Sequence, residues 1–502
     1  MSNLLYDSLF GCHIGDDKPF LIFADGRTIS YDAFLHMAIR FANTIKAAGL
    51  TAGDRLAVQV EKSAEALAVY AACVQSGVIF LPLNMAYKPA EVEYFISDSG
   101  ARMLIAGDAE SLQSIAATHN VILHDMAADG RGSFTNLAAT ASDRFAPVPR
   151  NGDDLAAFLY TSGTTGRSKG AMLTQNNLLS NAQTLIEAWR FSEADVLLHA
   201  LPIFHTHGLF VATNIILLAR ASMIFLPKFD VDSVFAVLPQ ATSMMGVPTF
   251  YTRLLDDARL TADSTRHMRL FVSGSAPLLA ETHLQFAERT GQQILERYGM
   301  TETNMNTTNP YEGPRRAGTV GKPLAGVDLK ITDPETGATL EDGAIGQIEV
   351  RGPNVFVGYW NMPEKTREEL REDGFFITGD LGFIDDQGYV QIVGRNKDLI
   401  IAGGYNIYPK EIELILDDQP GVLESAVIGV PHADFGESVV GILVPDNSGL
   451  LDIDKITESV AASLAKFKQP RQLFVVDALP RNAMGKVQKN ILRETYGSAV
   501  SA

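Results

Sequence analysis

Hydrophobic positions in the first eighty residues follow two alternating periods. Phe34, Met37, Ala38, Phe41 and Ile45 recur every three or four residues, which places them on one face of a helix, and Gly49 stands where a left-handed residue can close it. Leu56, Val58 and Val60 then alternate as in a strand. Residues 67–74 read as a second helix ended by Gly77, and Val78, Ile79, Phe80 and Leu81 form a short unbroken apolar run of the buried-strand type. This alternation predicts α/β layers around a largely parallel sheet.

The pattern changes over residues 314–395. Ile348 alternates with Val350, and Val390 with Ile392, with Gly and Pro turns between, so a β-rich part is expected. A new unit begins after Gly394, Arg395, Asn396 and Lys397, with Pro409 placed for a helix start and Ile412, Ile415 and Leu416 on one helical face. The domain boundary is therefore set between residues 1–395 and 396–502. The most apolar stretch, 208–229, is broken by Asn214, Arg220 and Ser222 within the roughly 20 residues a membrane span needs, and reads as a buried helix followed by a strand. No fixed-period repeat, heptad array or low-complexity tract is present, which removes solenoid and coiled-coil readings.

Composition narrows the class. A chain of 502 residues is too long for one ordinary core, and 46% hydrophobic with 20% charged residues suits a globular enzyme. The net charge of -18 argues against binding nucleic acid or an anionic membrane, so any anion site must be locally basic. Cys12 and Cys73 are far apart without metal-ligand spacing, which indicates neither a disulfide framework nor a cysteine zinc site and fits a reducing cytoplasm. The first fifteen residues carry no basic-then-apolar pattern and no small-residue cleavage site, so the start is read as mature protein.

The chemistry is concentrated in short motifs. After an apolar run at 155–159, one loop collects Tyr160, Thr161, Ser162, Gly163, Thr164, Thr165, Gly166, Arg167, Ser168, Lys169 and Gly170. Glycine lets backbone N–H groups approach a phosphate, hydroxyls add donors, and Lys169 supplies a point charge, so the loop is read as a phosphate cradle rather than a passive polar turn. It is not a P-loop: counted from Gly163, that pattern needs glycine where Ser168 stands and Ser or Thr where Gly170 stands. Gly130 and Gly132 lack the third glycine of a dinucleotide fingerprint, so NAD binding has no support.

Together with Tyr298, Gly299, Met300, Thr301, Glu302 and Thr303, then Ile377 to Asp380, Gly394 and Arg395, and the late run from Pro480 to Lys486, this loop resembles the adenylate-forming superfamily of acyl-CoA synthetases, peptide-synthetase adenylation domains and luciferases. The resemblance covers nearly the whole chain, in the family's motif order. It implies an α/β fold: a large N-terminal domain of two α/β halves and a β-barrel-like part, and a small mobile α+β C-terminal lid. It also implies Mg²⁺ as cofactor, with ATP and coenzyme A as co-substrates. The reaction it implies is attack of a carboxylate on the α-phosphate of ATP, then transfer of the acyl group to the thiol.

The resemblance assigns roles. Thr161, Ser162, Gly163, Thr164, Thr165, Gly166, Lys169, Ser275, Ala276, Glu296, Tyr298 and Gly299 would surround ATP. Asp380 would bond the ribose hydroxyls, Arg395 the ribose and phosphate, Glu302 Mg²⁺, and Thr301 phosphate or the reacting carboxylate. Lys486, which alone would read as a solvated surface lysine, matches the lysine that reaches the carboxylate and α-phosphate in the adenylating lid position. Its exposure between lid positions also makes it a candidate target of a lysine acetyltransferase. Lys397 matches the hinge, and Gly403, Gly404 and Tyr405 match the loop over the acyl site in thioester formation.

Within the superfamily the resemblance runs to malonyl-CoA synthetases, on residues 201–208, 247–253 and 295–299. The second carboxylate of malonate would be buried and unpaired unless a cation met it, and Arg253 and Arg297 are the candidates, with a planar fork suited to a carboxylate. For Arg253 a structural role stands equally open. His205 matches the aromatic gate beside the acyl pocket, while His207 is read as a packed residue. Methylmalonate differs by one methyl, worth only about 1–3 kcal/mol of discrimination. The competing readings are a monocarboxylate ligase, a free-standing enzyme loading a carrier protein, and an inactive nucleotide sensor.

Overall fold

Ser30 Oγ accepts the Ala33 N–H at the start of the first predicted helix, which runs Tyr31–Ala47 and buries Phe34, Ala38, Phe41 and Ile45. Ser63 caps the next helix in the same way, so that it spans Ala64–Ser76, and Gly77 closes it at φ +69°. The apolar run that follows is the strand Ile79–Pro82. The computed structural model describes residues 2–161, 168–402, 405–432, 436–446, 448–482 and 485–497, without the side chains of 405 and 406.

The chain divides into two compact units, one of Met1–Asp328 with Val350–Phe376, the other of Leu329–Glu349 with Ile377–Ala502. The boundary expected at 395/396, as the start of a new compact unit, differs from this division by packing, which groups residues 377–395 with the C-terminal part.

The first unit contains two sheets. One has six strands in the order Ile122–Asp125, Met103–Ala106, Arg55–Gln59, Ile79–Pro82, Leu155–Thr161 and Lys169–Thr174, all neighbours parallel except the last pair. The other has nine strands. Its parallel centre runs Leu295–Met300, Leu270–Ser273, Ser243–Gly246, Val196–His199, Ser222–Phe225 and Pro19–Ile22. In register, Met245 lies beside His199, Gly246 beside Ser273, and Ser273 beside Glu296. The carboxyl ends of these strands therefore share one edge, where ligand crevices form in α/β sheets. Behind them, Leu198, Ile224, Met244, Tyr251, Phe271 and Phe286 pack into one core.

The apolar stretch 208–229 becomes a π-helical segment His207–Thr213, a helix Asn214–Ala219 and the strand Ser222–Phe225. The β-rich expectation is met by a four-stranded sheet of Asp328–Thr332, Gly346–Arg351, Phe376–Ile384 and Val390–Arg395. Further on, Pro409 opens the helix Pro409–Asp417, whose Ile412 and Leu416 pack on the long hairpin Val422–His432 and Gly436–Pro445. Among the described residues no helix is long and apolar enough to cross a membrane.

Candidate active site

Arg297 lies on the strand Leu295–Met300 and is only 3% exposed, yet its Nε and Nη2 have no hydrogen-bond partner. Burial pulls its pKa down from the usual arginine value to about 9, against the opposing pull of Tyr251 and Glu296. The side chain lies against Gly274, just past the neighbouring strand: a Cβ there would stand 2.4 Å from Arg297 Cζ. An unpaired buried cation is unfavourable by several kcal/mol unless an anion meets it.

His207, also buried, approaches the same charge. Its Nδ1 is 3.2 Å from Ser275 Oγ and its Nε2 has no partner. Burial and then the Arg297 charge hold its pKa well below the ordinary value, so the ring is neutral. Ser275 adopts φ +71°, a left-handed conformation rare outside glycine and a mark of strain at functional positions. Ala276 is partly buried. The partly buried His205 accepts the His207 N–H at Nδ1, 3.3 Å away. Arg253 is exposed on the last turn of the helix Pro248–Leu255 and makes no hydrogen bond or ion pair among the described residues.

A second cluster surrounds Glu302. This carboxylate is buried and accepts the Tyr359 hydroxyl at 3.0 Å, while the same hydroxyl is 2.6 Å from Glu369. One phenolic proton lies between two carboxylates, and burial together with their charges raises the Tyr359 pKa far above its usual value. Glu369 contacts Lys169 Nζ through both oxygens at 3.1 Å and Lys365 at 3.0 Å. Burial opposes its ionisation, but the Tyr359 hydroxyl and Lys169 outweigh that and hold its pKa below the ordinary value. The Lys169 ammonium also lies 4.1 Å from the Tyr359 ring centroid. Tyr359 and Glu369 escaped the reading of the sequence, because Glu369 is 200 residues from Lys169 and carries no local signal.

Other expected residues fall around these two clusters. Thr161 ends its strand opposite Lys169, and Thr301 is partly buried. Glu296 is buried and accepts the Leu278 N–H at 3.2 Å. Tyr298 is buried, and Gly299 is tight against Asn304, whose carbonyl oxygen would lie 1.9 Å from an added Cβ. Ser162, Gly163, Thr164, Thr165 and Gly166 lie outside the described residues.

In the second unit, register brings two distant motifs together. Asp380 pairs with Arg395 across neighbouring strands, and Arg395 Nε is 2.8 Å from Asp380 Oδ1. Gln347 Nε2 donates to the Asp380 carbonyl at 2.9 Å. Lys397 is exposed in the 3₁₀ turn Asn396–Asp398. Lys486 is exposed, and its N–H donates to Asn482 Oδ1 at 3.0 Å while its carbonyl accepts the Asn482 N–H at 2.9 Å. Gly403 and Gly404 lie outside the described residues; Tyr405 opens the strand Tyr405–Ile407.

Two α/β sheets in a large body, joined to a smaller unit, are the organisation of adenylate-forming enzymes. The chain belongs to the AMP-binding enzyme family: residues 13–360 match the AMP-binding enzyme family and residues 411–486 the AMP-binding enzyme C-terminal domain. It is 56% identical to ATP-bound MatB from Rhodopseudomonas palustris, with a TM-score of 0.97 over 99% of this chain and 100% of that one. It is 35% identical to the malonate–CoA ligase of Arabidopsis thaliana, over 94% of this chain and 85% of that protein. It is also 33% identical to a feruloyl-CoA synthase of Amycolatopsis, over 94% and 95%.

Proposed function

We propose that the chain is an AMP-forming malonate:CoA ligase: malonate and ATP give malonyl-AMP and pyrophosphate, and the thiol of coenzyme A then gives malonyl-CoA and AMP. The observation that carries the choice of acid is the buried guanidinium of Arg297 with two nitrogens unpaired. A monocarboxylate would leave that charge uncompensated, whereas the distal carboxylate of malonate would meet it through charge-assisted bonds of roughly 1.5–3 kcal/mol each. Arg253, being exposed, is the weaker candidate for a second cation, and His205 is proposed as the gate beside the acyl group.

Activation joins two anions, so the site must offset their repulsion where charge develops. In this reading the Thr161–Lys169 loop with Ser275, Ala276, Glu296, Tyr298 and Gly299 holds ATP, Thr301 the reacting groups, and Asp380 with Arg395 the ribose. Glu302 offers the hard carboxylate oxygen that Mg²⁺ favours. Bound there, Mg²⁺ would supply charge neutralisation. Residues 396–502 act as a lid hinged at Lys397, bringing Lys486 to the carboxylate in the first half-reaction and Gly403, Gly404 and Tyr405 to pantetheine in the second.

Acetylation of Lys486 would remove the charge used in adenylation, and incubation with an acetyl donor and a lysine acetyltransferase that leaves activity intact would exclude this control. The cytoplasm is the proposed location, tested by fractionation. The function itself is tested by CoA-dependent AMP formation with malonate, methylmalonate, succinate, acetate and benzoate: malonate is expected to lead, with methylmalonate nearest.

A further inference from the structure

Lys62, in the loop between the strand Arg55–Gln59 and the helix Ala64–Ser76, sends its ammonium into the second sheet of the same unit. There Nζ is 2.8 Å from His199 Nδ1 and 2.8 Å from the His199 carbonyl, and it sits 4.3 Å from the Phe225 ring centroid. No carboxylate pairs with it among the described residues. Burial pulls its pKa well down, but the ammonium and the neutral amine each carry the two hydrogens these contacts use.

His199 is 0% exposed and ends the strand Val196–His199. Its Nε2 is 2.8 Å from the Gly208 carbonyl, an obligate acceptor, so Nε2 carries the hydrogen and Nδ1 is the lone pair that receives Lys62. The Gly208 carbonyl takes a second bond from the Thr213 hydroxyl at 3.0 Å. On its other side Gly208 is wedged, since a Cβ there would lie 2.1 Å from the Pro202 carbonyl oxygen. Gly208 is thus pinned at the start of the π-helical turn His207–Thr213, a geometry concentrated at functional sites. The residue before it is His207, whose unpartnered Nε2 lies in the neighbourhood of the Arg297 charge.

We propose that Lys62 is a positioning residue for the acyl pocket: it locks His199 in the Nε2–H form, His199 anchors the Gly208 carbonyl, and that anchor fixes where His207 and the turn behind it stand relative to Arg297. A partly buried lysine whose amine meets no carboxylate is a poor way to hold a core together, and an apolar side chain would cover the same surface with less desolvation. What lysine alone supplies here is a pair of donors aimed at two acceptors of one histidine. The proposal rests on the acid site being the one described above.

The test is the split between acid and nucleotide in pyrophosphate exchange, measured with the acid that the wild type prefers. Lys62→Met is expected to raise the KM for the acid roughly tenfold, the order of one lost hydrogen bond, with the KM for ATP within about twofold. His199→Leu should do the same, His199→Gln, which keeps a donor for Gly208, should retain most of the affinity, and Lys62→Met with His199→Leu should be no worse than His199→Leu alone. Equal rises in both KM values, or an unchanged acid KM in a folded Lys62→Met protein, would overturn the proposal. Should the variants fail to fold, histidine-selective ¹⁵N spectra of the wild type decide: an imidazolium or Nδ1–H form of His199 contradicts it, and the Nε2–H form supports it. A wild type that prefers a monocarboxylate sinks the malonate reading and leaves this split measurable.

Discussion

The guanidinium of Arg297 lies against Gly274, so close that a methyl group on Gly274 would come within 2.4 Å of Cζ and 2.6 Å of Nε. Glycine at 274 is thus a condition for Arg297 to stand where it does. Gly274→Ala should displace the guanidinium and lower kcat/KM for malonate by at least about tenfold, ~1.4 kcal/mol, without lowering the slow turnover of acetate, as read by AMP formation.

Arg297 also sets a pH dependence whose sign differs between stability and activity. Its folded-state pKa of about 9 is depressed from the ordinary arginine value by burial, so above about pH 9 the unfolded chain binds more protons and stability rises with pH. Below about 9 the buried cation is fully charged and its penalty fully present. Activity runs the other way, because only the charged guanidinium pairs with a carboxylate: any loss of its proton at alkaline pH should lower kcat/KM for malonate. The pH profile of an Arg297→Met enzyme should lack that limb.

Much of this arrangement was legible in the sequence, and the remainder has a physical reason. The Tyr31–Ala47 helix and the Pro409 helix start follow from periodicity and capping, which are local. Asp380 and Arg395 sit in motifs, and antiparallel register then brings them to 2.8 Å. The Ala64–Ser76 helix begins three residues before the expected start because Ser63 caps it. The helix Pro248–Leu255 turns Tyr251 and Leu254 inward and leaves Arg253 exposed, a matter of helical phase that a motif match does not resolve. Glu369 and Lys62 were invisible because each acts on a residue more than a hundred positions away.

The phenol of Tyr359 shares one proton between Glu302 and Glu369. Tyr359→Phe removes the hydroxyl that holds the Glu302 carboxylate, which is then no longer fixed in its present orientation. Half-maximal activity should then require about tenfold more Mg²⁺, the order expected for one hydrogen bond to a charged group. A Mg²⁺ titration of AMP formation checks this.

Lys486 is exposed, so its loss should leave folding intact while removing charge stabilisation of the adenylation step. Lys486→Ala should lower malonate-dependent pyrophosphate exchange by about 100-fold or more, of the order seen when one transition-state donor is removed. Thioester formation from supplied malonyl-AMP should survive.

That Arg297 reads a second carboxylate is tested most directly by the ratio of kcat/KM for malonate to that for propionate, in the wild type and in Arg297→Met. The wild-type ratio should lie well above one and collapse by at least about tenfold in Arg297→Met, with the free variant as stable as the wild type or about 1–4 kcal/mol more so, because a buried unpaired cation has gone. A wild type that favours propionate, or a variant that keeps the malonate preference, would contradict it.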